Sequence, residues 1–263
     1  MRPKIGLALG SGGWRGLLHI GVIKYLVENK IPIDFISGSS IGSIIGGLYA
    51  ATGDIKKVER IANDLNFKKI IRHSFQINTP KRPVFSTKFK TFFKKIVGDI
   101  NIEDLKIPYS AITCDLSIGE AIAIKKGNLV SAMLASSAIP LVFGPINLHG
   151  KYFFDGGMIN PVPVNFTRRM GANLVIGVSL YSGIFPIKNK ISRLKAIKIS
   201  RFLYLKRLAD IDLHSADIPI ELKVPDENYK FFSNLNNSKK LIDYGYKSAR
   251  EIISKQKNLK PAK

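Results

Sequence analysis

The stretch Asp34-Phe35-Ile36-Ser37-Gly38-Ser39-Ser40-Ile41-Gly42-Ser43 decides how this chain folds, because it joins two apolar segments through a turn. Its middle five residues, Gly38 to Gly42, have the pattern G-x-S-x-G. The glycines remove side chains that would collide across a sharp strand-to-helix turn, and such a turn holds its central serine in a strained backbone conformation. The stretch therefore predicts a strand, a turn and a helix, with Ser40 as a candidate nucleophile at the positive end of the helix.

By itself the pentapeptide is a weak signal. With 21 serines and 22 glycines in 263 residues, roughly 0.15 chance matches are expected. The strand–turn–helix context favours a nucleophilic serine. A plain glycine-serine loop remains the alternative until other motifs are considered.

The N-terminal side of this stretch contains an earlier strand, a glycine-rich turn and a helix. Ile5 to Leu9 is a continuous apolar run typical of a buried parallel strand, and apolar residues recur at helical spacing from Leu17 to Val27. Strand and helix patterns go on alternating as far as Leu174 to Leu180. The alternation predicts a three-layer α/β/α fold with a mainly parallel central sheet.

The turn Gly10-Ser11-Gly12-Gly13-Trp14-Arg15-Gly16 leaves backbone N–H groups uncovered at the start of a helix, where they can bind an anion. One interpretation is an oxyanion hole for acyl transfer, and another is the pyrophosphate site of a dinucleotide-binding fold. The dinucleotide interpretation requires an acidic residue at the end of the next strand, but Gly38-Ser39-Ser40 occupies that place and Asp34 begins the strand. The sequence therefore favours the oxyanion hole.

A carboxylate follows a later strand candidate. Asp155 comes directly after Tyr152-Phe153-Phe154 and before two glycines. If this strand runs parallel to the one before Ser40, both side chains emerge at the same edge of the sheet. In isolation an aspartate before two glycines is more often an ordinary turn residue. Asp155 is therefore a candidate site residue only in combination with the other motifs.

Three motifs occur together in this chain: Gly10-Ser-Gly-Gly-Trp-Arg-Gly16, Gly38-Ser-Ser-Ile-Gly42 and Asp155-Gly-Gly157. In this order and at these separations they resemble the patatin-like phospholipases, particularly the bacterial branch. Ala135-Ser-Ser-Ala-Ile-Pro140 and Asn160-Pro-Val-Pro163 strengthen the resemblance. It covers roughly residues 4–180.

The resemblance implies a serine acyl hydrolase that cleaves carboxylic esters of phospholipids or lysophospholipids through an acyl-enzyme, without metal or organic cofactor. It assigns Ser40 as nucleophile, Asp155 as base, and the turn of Gly12, Gly13 and Arg15 as oxyanion hole. The motif glycines are Gly10, Gly16, Gly38, Gly42, Gly156 and Gly157. Ser11 stands where many relatives have glycine, which leaves open which N–H groups contribute.

Two other functions remain open at this stage. One is a serine esterase or thioesterase acting on small soluble substrates. The other is a regulatory or binding module with a relic hydrolase site, although a complete set of serine, aspartate and glycines argues against it.

The histidines do not fit an ordinary catalytic triad. His19, His73, His149 and His214 do not follow sheet strands at positions that would meet Ser40, so we expect each of them to be structural or solvated. Ser136 and Ser137 form a second serine pair that no glycine frames, and packing explains that pair better.

Composition limits the partners and the compartment. The 41 basic against 19 acidic residues favour an anionic membrane surface or nucleic acid, and no nucleic-acid reader motif is present. Lysine bias from an AT-rich genome is an equal alternative, with 30 lysines against 11 arginines. A single cysteine in an apolar strand pattern, Cys114, together with no signal-peptide core and no membrane-length apolar run, predicts a cytoplasmic protein. Any contact with the membrane is expected to be peripheral, at its inner face.

The chain shows no linker composition, so we expect a single domain over residues 1–263. Its motif-bearing core spans about residues 4–180, and a basic, mainly helical part spans 188–263. The aromatic and basic segment from Lys68 to Gly98 has poor periodicity and two prolines. It is therefore expected to be a mobile cover over the sheet.

Overall fold

The computed structural model describes residues 2–64, 67–69, 82–140, 144–182, 191–222, 238–256 and 259. Within these residues eight strands form one mixed sheet. The strands are β1 (Ile5–Leu9), β2 (Phe35–Ser39), β3 (Tyr109–Asp115), β4 (Glu120–Ile124), β5 (Ile146–Leu148), β6 (Lys151–Asp155), β7 (Leu174–Ser179) and β8 (Ile218–Glu221).

Five of the strands are parallel neighbours in the order β3-β2-β1-β7-β8. The other three are antiparallel to their partners: β4 and β6 pair with β3, and β5 pairs with β6. The prediction of a mainly parallel sheet is confirmed. Strands β1, β2 and β7 are buried at nearly every position, as expected where helices cover both faces of a sheet.

Helices cover both faces, and the alternation along β1 separates the two layers. Leu7 and Leu9 pack in one apolar cluster with α1, α2 and α8, whereas Ala8 packs in a second cluster with α6 and α7. The helices are α1 (Leu17–Glu28), α2 (Ile41–Thr52), α3 (Ile55–Asn63), α4 (Arg82–Val97), α5 (Leu129–Ser136), α6 (Val164–Arg169), α7 (Arg193–His214) and α8 (Ser238–Ile253). Among the described residues, no helix combines the length and apolar composition that crossing a bilayer requires.

The direction of β6 differs from the sequence-based expectation. We considered a strand parallel to β2, but β6 is antiparallel to β3 and therefore also to β2. β5 runs in the same direction as β3, and β6 follows it in a hairpin, because only the short turn from Leu148 to Lys151 joins them. The hairpin therefore makes β6 run opposite to β3. The connection to the preceding strand determines strand direction, and the apolar run Tyr152-Phe153-Phe154 alone does not indicate it.

The register on β3 nevertheless brings the aspartate to the serine. β2 pairs with β3 as far as Ser39 and Ile112, and the next β3 residue, Thr113, pairs with Asp155. β4 occupies the other edge of β3 from Ala111 to Asp115. Hence β6 continues along the β3 edge where β2 stops, and its last residue meets the turn that follows β2.

The segment expected to be a mobile cover is partly a packed helix. Residues 82–97 form α4, and Phe89 and Phe93 are buried in the same apolar cluster as β1. Phe67 contacts Phe93 edge to face, with ring centroids 6.3 Å apart. The expectation of an irregular, unpacked cover is wrong for α4, and residues 70–81 lie outside the described residues.

The C-terminal part contributes a strand and a helix to this packing. β8 pairs in parallel with β7. On α8, Gly245 lies so close to α1 that an added Cβ would sit 2.1 Å from the Leu18 carbonyl oxygen. On α1, Gly21 approaches α8 equally closely, because its Cβ would lie 2.0 Å from the Ile242 carbonyl oxygen. The two helices thus touch backbone to backbone.

Candidate active site

Ser40 lies in a strained turn between β2 and α2. Its φ and ψ are 55° and −122°, a positive φ that L side chains rarely adopt, and it caps the N-terminus of α2. A Cβ on Gly38 would lie 2.4 Å from the Gly42 carbonyl group, and a Cβ on Gly42 would lie 2.1 Å from the Leu9 carbonyl oxygen. Both glycines of the pentapeptide are therefore required by backbone contacts, and the plain-loop alternative is excluded.

The Ser40 hydroxyl donates a hydrogen bond to Asp155. The distance from Ser40 Oγ to Asp155 Oδ2 is 2.5 Å, and both residues are buried. The other carboxylate oxygen of Asp155 accepts the Gly157 N–H at 2.8 Å. The structure thus brings together the two residues that the motifs single out, in a geometry in which the carboxylate can accept the serine proton.

Burial changes the acidity of this carboxyl group. Desolvation raises the pKa of Asp155 from 3.8 to about 6, against the opposing effects of the Ser40 and Gly157 hydrogen bonds and of the Arg201 charge. A base with a pKa just below neutrality is mostly ionised at pH 7 and holds a proton more tightly than an exposed aspartate. That balance suits a group that accepts a proton and later returns it.

Two glycines allow Asp155 to reach this position. A Cβ on Gly156 would lie 2.1 Å from the Ile112 carbonyl oxygen, and a Cβ on Gly157 would lie 2.4 Å from the Ser11 Cβ atom. The motif Asp-Gly-Gly is therefore more than an ordinary turn, because its glycines fit against β3 and against the glycine-rich turn. Ser11 itself shares a 3.0 Å hydrogen bond with the Tyr181 hydroxyl.

The glycine-rich turn is fixed at its start and open at its centre. Gly10 N–H donates to the Val178 carbonyl at 2.9 Å, and Ser11 N–H donates to the Pro161 carbonyl at 2.8 Å. In the part of the chain that the structure describes, the N–H groups of Gly12 and Gly13 have no acceptor. Gly13 has a φ of 65°. These two N–H groups are available to an anion.

Arg15 supports the turn through its side chain. Its guanidinium donates to the Leu180 carbonyl at 2.8 Å and to the Gly12 carbonyl at 3.3 Å. It also lies 5.1 Å from the ring centroid of Phe202. These contacts direct the side chain toward β7 and α7, so Arg15 orders the turn that bears the Gly12 and Gly13 N–H groups.

The described histidines make no hydrogen bond to Ser40 or Asp155. His19 is fully buried in α1, where its Nε2–H donates to the Gly10 carbonyl at 2.7 Å and burial lowers its pKa to about 4. His149 and His214 are exposed. His73 lies outside the described residues.

Three residues near the site were not recognised as site residues from the sequence. Ser136 Oγ accepts the Ser40 N–H at 3.0 Å and donates to the Ile112 carbonyl at 2.6 Å. The packing interpretation of this serine is therefore incomplete, because it holds the backbone of the turn.

The other two residues belong to the support of the loop after Asp155. The Asn160 carbonyl accepts a hydrogen bond from Ser39 Oγ at 2.7 Å, and the Asn160 amide donates to Asp212 at 2.8 Å. Asp212 also accepts the Val162 N–H at 3.0 Å. The motif Asn160-Pro-Val-Pro163 contributed to the family resemblance without giving Asn160 a role, and nothing in the sequence indicated Asp212 of α7.

No group of three or more His, Cys, Asp or Glu side chains among the described residues is arranged to hold a metal ion. Cys114 is buried in β3 and unpaired, as its apolar surroundings predicted. The chemistry available at this edge of the sheet is that of a buried serine, a carboxylate and two backbone donors.

Comparisons with known proteins agree with this geometry. The family model described as patatin-like phospholipase matches residues 7–167, a range that contains both Ser40 and Asp155. An uncharacterized NTE family protein of Mycobacterium tuberculosis is 38% identical over 178 residues, covering 68% of this chain and 49% of that protein. The chain spans about half the length of the mycobacterial relatives it matches.

A human relative and a solved structure extend the comparison. Patatin-like phospholipase domain-containing protein 6 of Homo sapiens is 33% identical over 185 residues, which cover 68% of this chain and 13% of that protein. VipD from Legionella pneumophila shares the fold with a TM-score of 0.53 at 14% identity, covering 97% of this chain and 67% of that one. From the family match over residues 7–167 together with these relatives, the chain belongs to the patatin-like phospholipase family, a family of hydrolases.

Proposed function

We propose that this chain is a lipid acyl hydrolase that cleaves carboxylic esters of phospholipids or lysophospholipids with a Ser40–Asp155 dyad. The observation that carries the proposal is the 2.5 Å hydrogen bond from the Ser40 hydroxyl to the buried Asp155 carboxylate. Membership of the patatin-like phospholipase family supports the class of substrate. No cofactor takes part in the proposed reaction.

Acylation begins with proton transfer from Ser40 to Asp155. As the hydroxyl proton moves to Asp155 Oδ2, Ser40 Oγ attacks the ester carbonyl carbon, and the carbonyl oxygen becomes an oxyanion. The unpaired N–H groups of Gly12 and Gly13 stabilise that charge. When the tetrahedral intermediate collapses, the C–O bond to the alcohol breaks and Asp155 returns the proton to the leaving oxygen.

Deacylation repeats these steps with water as the nucleophile. Asp155 accepts a proton from water, and the hydroxide oxygen attacks the acyl carbonyl under the same stabilisation by Gly12 and Gly13. Ser40 then leaves with the proton that Asp155 releases. The products are a carboxylic acid and the restored Ser40–Asp155 hydrogen bond.

Two supporting contacts bear on how well this site performs. Ser136 accepts the Ser40 N–H, and Arg15 donates to the Gly12 carbonyl. The backbone of the Ser40 turn and that of the glycine-rich turn are therefore oriented before substrate binds. His19 is neutral near pH 7 because its pKa is about 4. An imidazole with so low a pKa is a weak base, and its Nε2–H donates to the Gly10 carbonyl, so we assign His19 the role of ordering Gly10.

The test compares the two dyad residues with the histidines. We expect Ser40→Ala and Asp155→Asn each to lower kcat for a p-nitrophenyl acyl ester by roughly 10³-fold or more. Single substitutions of His19, His73, His149 and His214 should leave substantial activity. A histidine variant as inactive as Ser40→Ala, together with an active Asp155→Asn, would show that the base is misassigned.

The same assays separate the alternatives. Incubation with a lipid extract, followed by mass spectrometry, identifies which species lose an acyl chain. Turnover of p-nitrophenyl esters without loss of any lipid acyl chain would favour an esterase or thioesterase acting on small soluble substrates. No turnover of either by the folded wild-type protein would favour a regulatory module with a relic site.

The charge balance supports a further part of the proposal. We place the protein in the cytoplasm, in peripheral contact with the anionic inner face of the membrane, without a nucleic-acid partner. The excess of 41 basic over 19 acidic residues favours that surface. Lysine bias of the genome is the competing explanation, and binding that ignores salt and lipid charge would favour it.

A further inference from the structure

Helix α7 presents an arginine–apolar stripe on the side that faces away from the sheet. The stripe recurs at intervals of three or four residues, so its members share one face of the helix. It comprises Arg193, Ile197, Arg201, Tyr204, Arg207 and Ile211, all of them exposed. The opposite face of α7 is buried through Phe202, Leu205, Ala209 and Leu213.

The exposure of large apolar side chains on this stripe needs an explanation. Ile197, Tyr204 and Ile211 are 64%, 59% and 56% exposed. The acidic residues of α7 do not lie on the stripe. Asp210 pairs with Lys206 one turn away, and Asp212 bonds to the loop after Asp155. The stripe therefore combines apolar and positively charged groups, and none of its six residues is acidic.

The N-terminal half of α7 extends past the edge of the sheet that bears Ser40. Leu213 packs against Gly177 in the middle of β7, whereas Phe202 packs against Tyr181, which follows the end of β7, with ring centroids 5.7 Å apart. The helix thus runs antiparallel to β7. Residues 193–201 continue beyond Tyr181 for about 13 Å, and Arg201 is close enough to act electrostatically on Asp155.

We propose that the arginine–apolar stripe docks on an anionic phospholipid bilayer and holds the Ser40 edge of the sheet beside its surface. Arginines bind phosphate groups, while the isoleucine and tyrosine side chains enter the interface, as on helices that lie in a membrane plane. The inference rests on the proposed function for its lipid substrate. A second copy is a poorer occupant, because in a symmetric dimer the arginines would face one another.

Co-sedimentation of the full chain with vesicles tests the charged half of the stripe. Vesicles of phosphatidylcholine alone and with one fifth phosphatidylglycerol are compared at low and high salt. Arg193→Gln/Arg207→Gln should weaken binding to the anionic vesicles about 25-fold, since each near-surface charge contributes about fivefold. Lys56→Gln/Lys57→Gln on α3 removes the same charge from another exposed surface and should change binding by less than about twofold.

Substitution of the apolar residues tests the other half. Ile197→Gln/Tyr204→Gln/Ile211→Gln should weaken binding by at least about tenfold, because buried apolar area adds to the electrostatic attraction. Val27→Gln, which alters an exposed apolar residue on α1, is the matched control. Circular dichroism and turnover of a soluble p-nitrophenyl ester check that every variant is folded, since none changes a residue of the site.

The outcomes distinguish this inference from the proposed function. Equal weakening by the lysine pair and the arginine pair would overturn the stripe in favour of overall charge. Wild-type protein that ignores anionic vesicles would also overturn it, and would point to an acidic protein as the occupant. Binding through the stripe without any ester hydrolysis would contradict the proposed function of the Ser40–Asp155 dyad and would still support the docking surface.

Discussion

The carboxyl group of Asp155 is placed where an ionised group is costly. It is buried beside Ser40, and among the described residues the Ser40 hydroxyl and the Gly157 N–H donate hydrogen bonds to it. Desolvation moves its pKa from 3.8 to about 6, so the unfolded chain ionises this group more readily than the native protein does. The native state therefore loses stability as pH rises through this range.

We expect Asp155→Asn to be more stable than the wild type above pH 6, by about 1–3 kcal/mol at pH 8. The amide can still accept the Gly157 N–H and can donate to Ser40 Oγ, so the substitution removes a charge and leaves both contacts satisfiable. Urea unfolding at pH 8 and at pH 3.5 measures the difference. It should nearly vanish at pH 3.5, where the aspartate is mostly protonated in both states, and a variant less stable at pH 8 would contradict the argument.

Asp212 lies outside the region that resembles the family, yet it supports the loop that carries Asp155. It accepts the Asn160 amide at 2.8 Å and the Val162 N–H at 3.0 Å. Asp212→Asn would place the new amide NH2 group against either the Asn160 amide or the Val162 N–H, and that hydrogen bond would be lost. We expect kcat on a soluble ester to fall about tenfold with KM little changed, since a misplaced catalytic group lowers the rate more than binding.

Asp210→Asn is the matched control for that substitution. Asp210 lies on the same helix, and within the described part of the chain its carboxylate bonds to Lys206 at the surface. Its substitution should leave kcat unchanged, and a similar fall in both variants would show that α7 responds to charge in general. A fall in Asp212→Asn through KM alone would contradict a positioning role.

The sequence singled out the two residues of the proposed dyad because their structural requirements are local. A strained turn needs glycines two residues either side of Ser40, and Asp155 needs glycines against β3, so the steric constraints appear as motifs. Ser136 and Asp212 could not be found in this way, because each acts through two hydrogen bonds to residues distant in the sequence. None of these contacts requires any particular neighbour in the sequence.

At the scale of the element, α4 is a helix whose apolar periodicity is hard to recognise in the sequence. Phe85, Phe89, Phe92, Phe93 and Ile96 recur at helical spacing, but Pro83 and the basic residues between them obscured it. Proline is tolerated in the first turn of a helix, where its missing N–H has no intrahelical partner. The structure places Pro83 in that first turn. Phe89, Phe92 and Phe93 thus lie on the face of the helix that packs against the core.

We expect Phe93→Ala to lower the free energy of unfolding by about 3–5 kcal/mol, because it empties a fully buried site. Lys90→Ala, on the exposed side of the same helix, should change it by less than about 0.5 kcal/mol. Urea unfolding of both variants supplies the comparison. Wild-type stability in Phe93→Ala would restore the idea of a loosely packed cover.

At the scale of the whole molecule, the C-terminal part shares the core of the part that carries the motifs. Leu241, Ile242 and Ile253 of α8 belong to the apolar cluster that contains Leu7 and Leu9 of β1. Sequence patterns predicted a basic, mainly helical part over residues 188–263, and the helices α7 and α8 lie in that part. They could not predict where α8 packs, because the contact depends on two glycines 224 positions apart, Gly21 and Gly245.

We propose that residues 1–263 form one domain, and this packing makes the proposal testable. Gly245→Ala would force α8 away from α1, since its Cβ would lie 2.1 Å from a backbone oxygen. We expect the free energy of unfolding to fall by about 1–3 kcal/mol or more, whereas Gly144→Ala, which has open space around it, should have no such effect. Unfolding is followed by Trp14 fluorescence, which reports on the glycine-rich turn, and by far-ultraviolet circular dichroism. If the chain is one domain, the two transitions should coincide in the wild type and shift together in Gly245→Ala. A shift of the circular dichroism transition alone would mean that α8 unfolds separately from the part that bears Ser40.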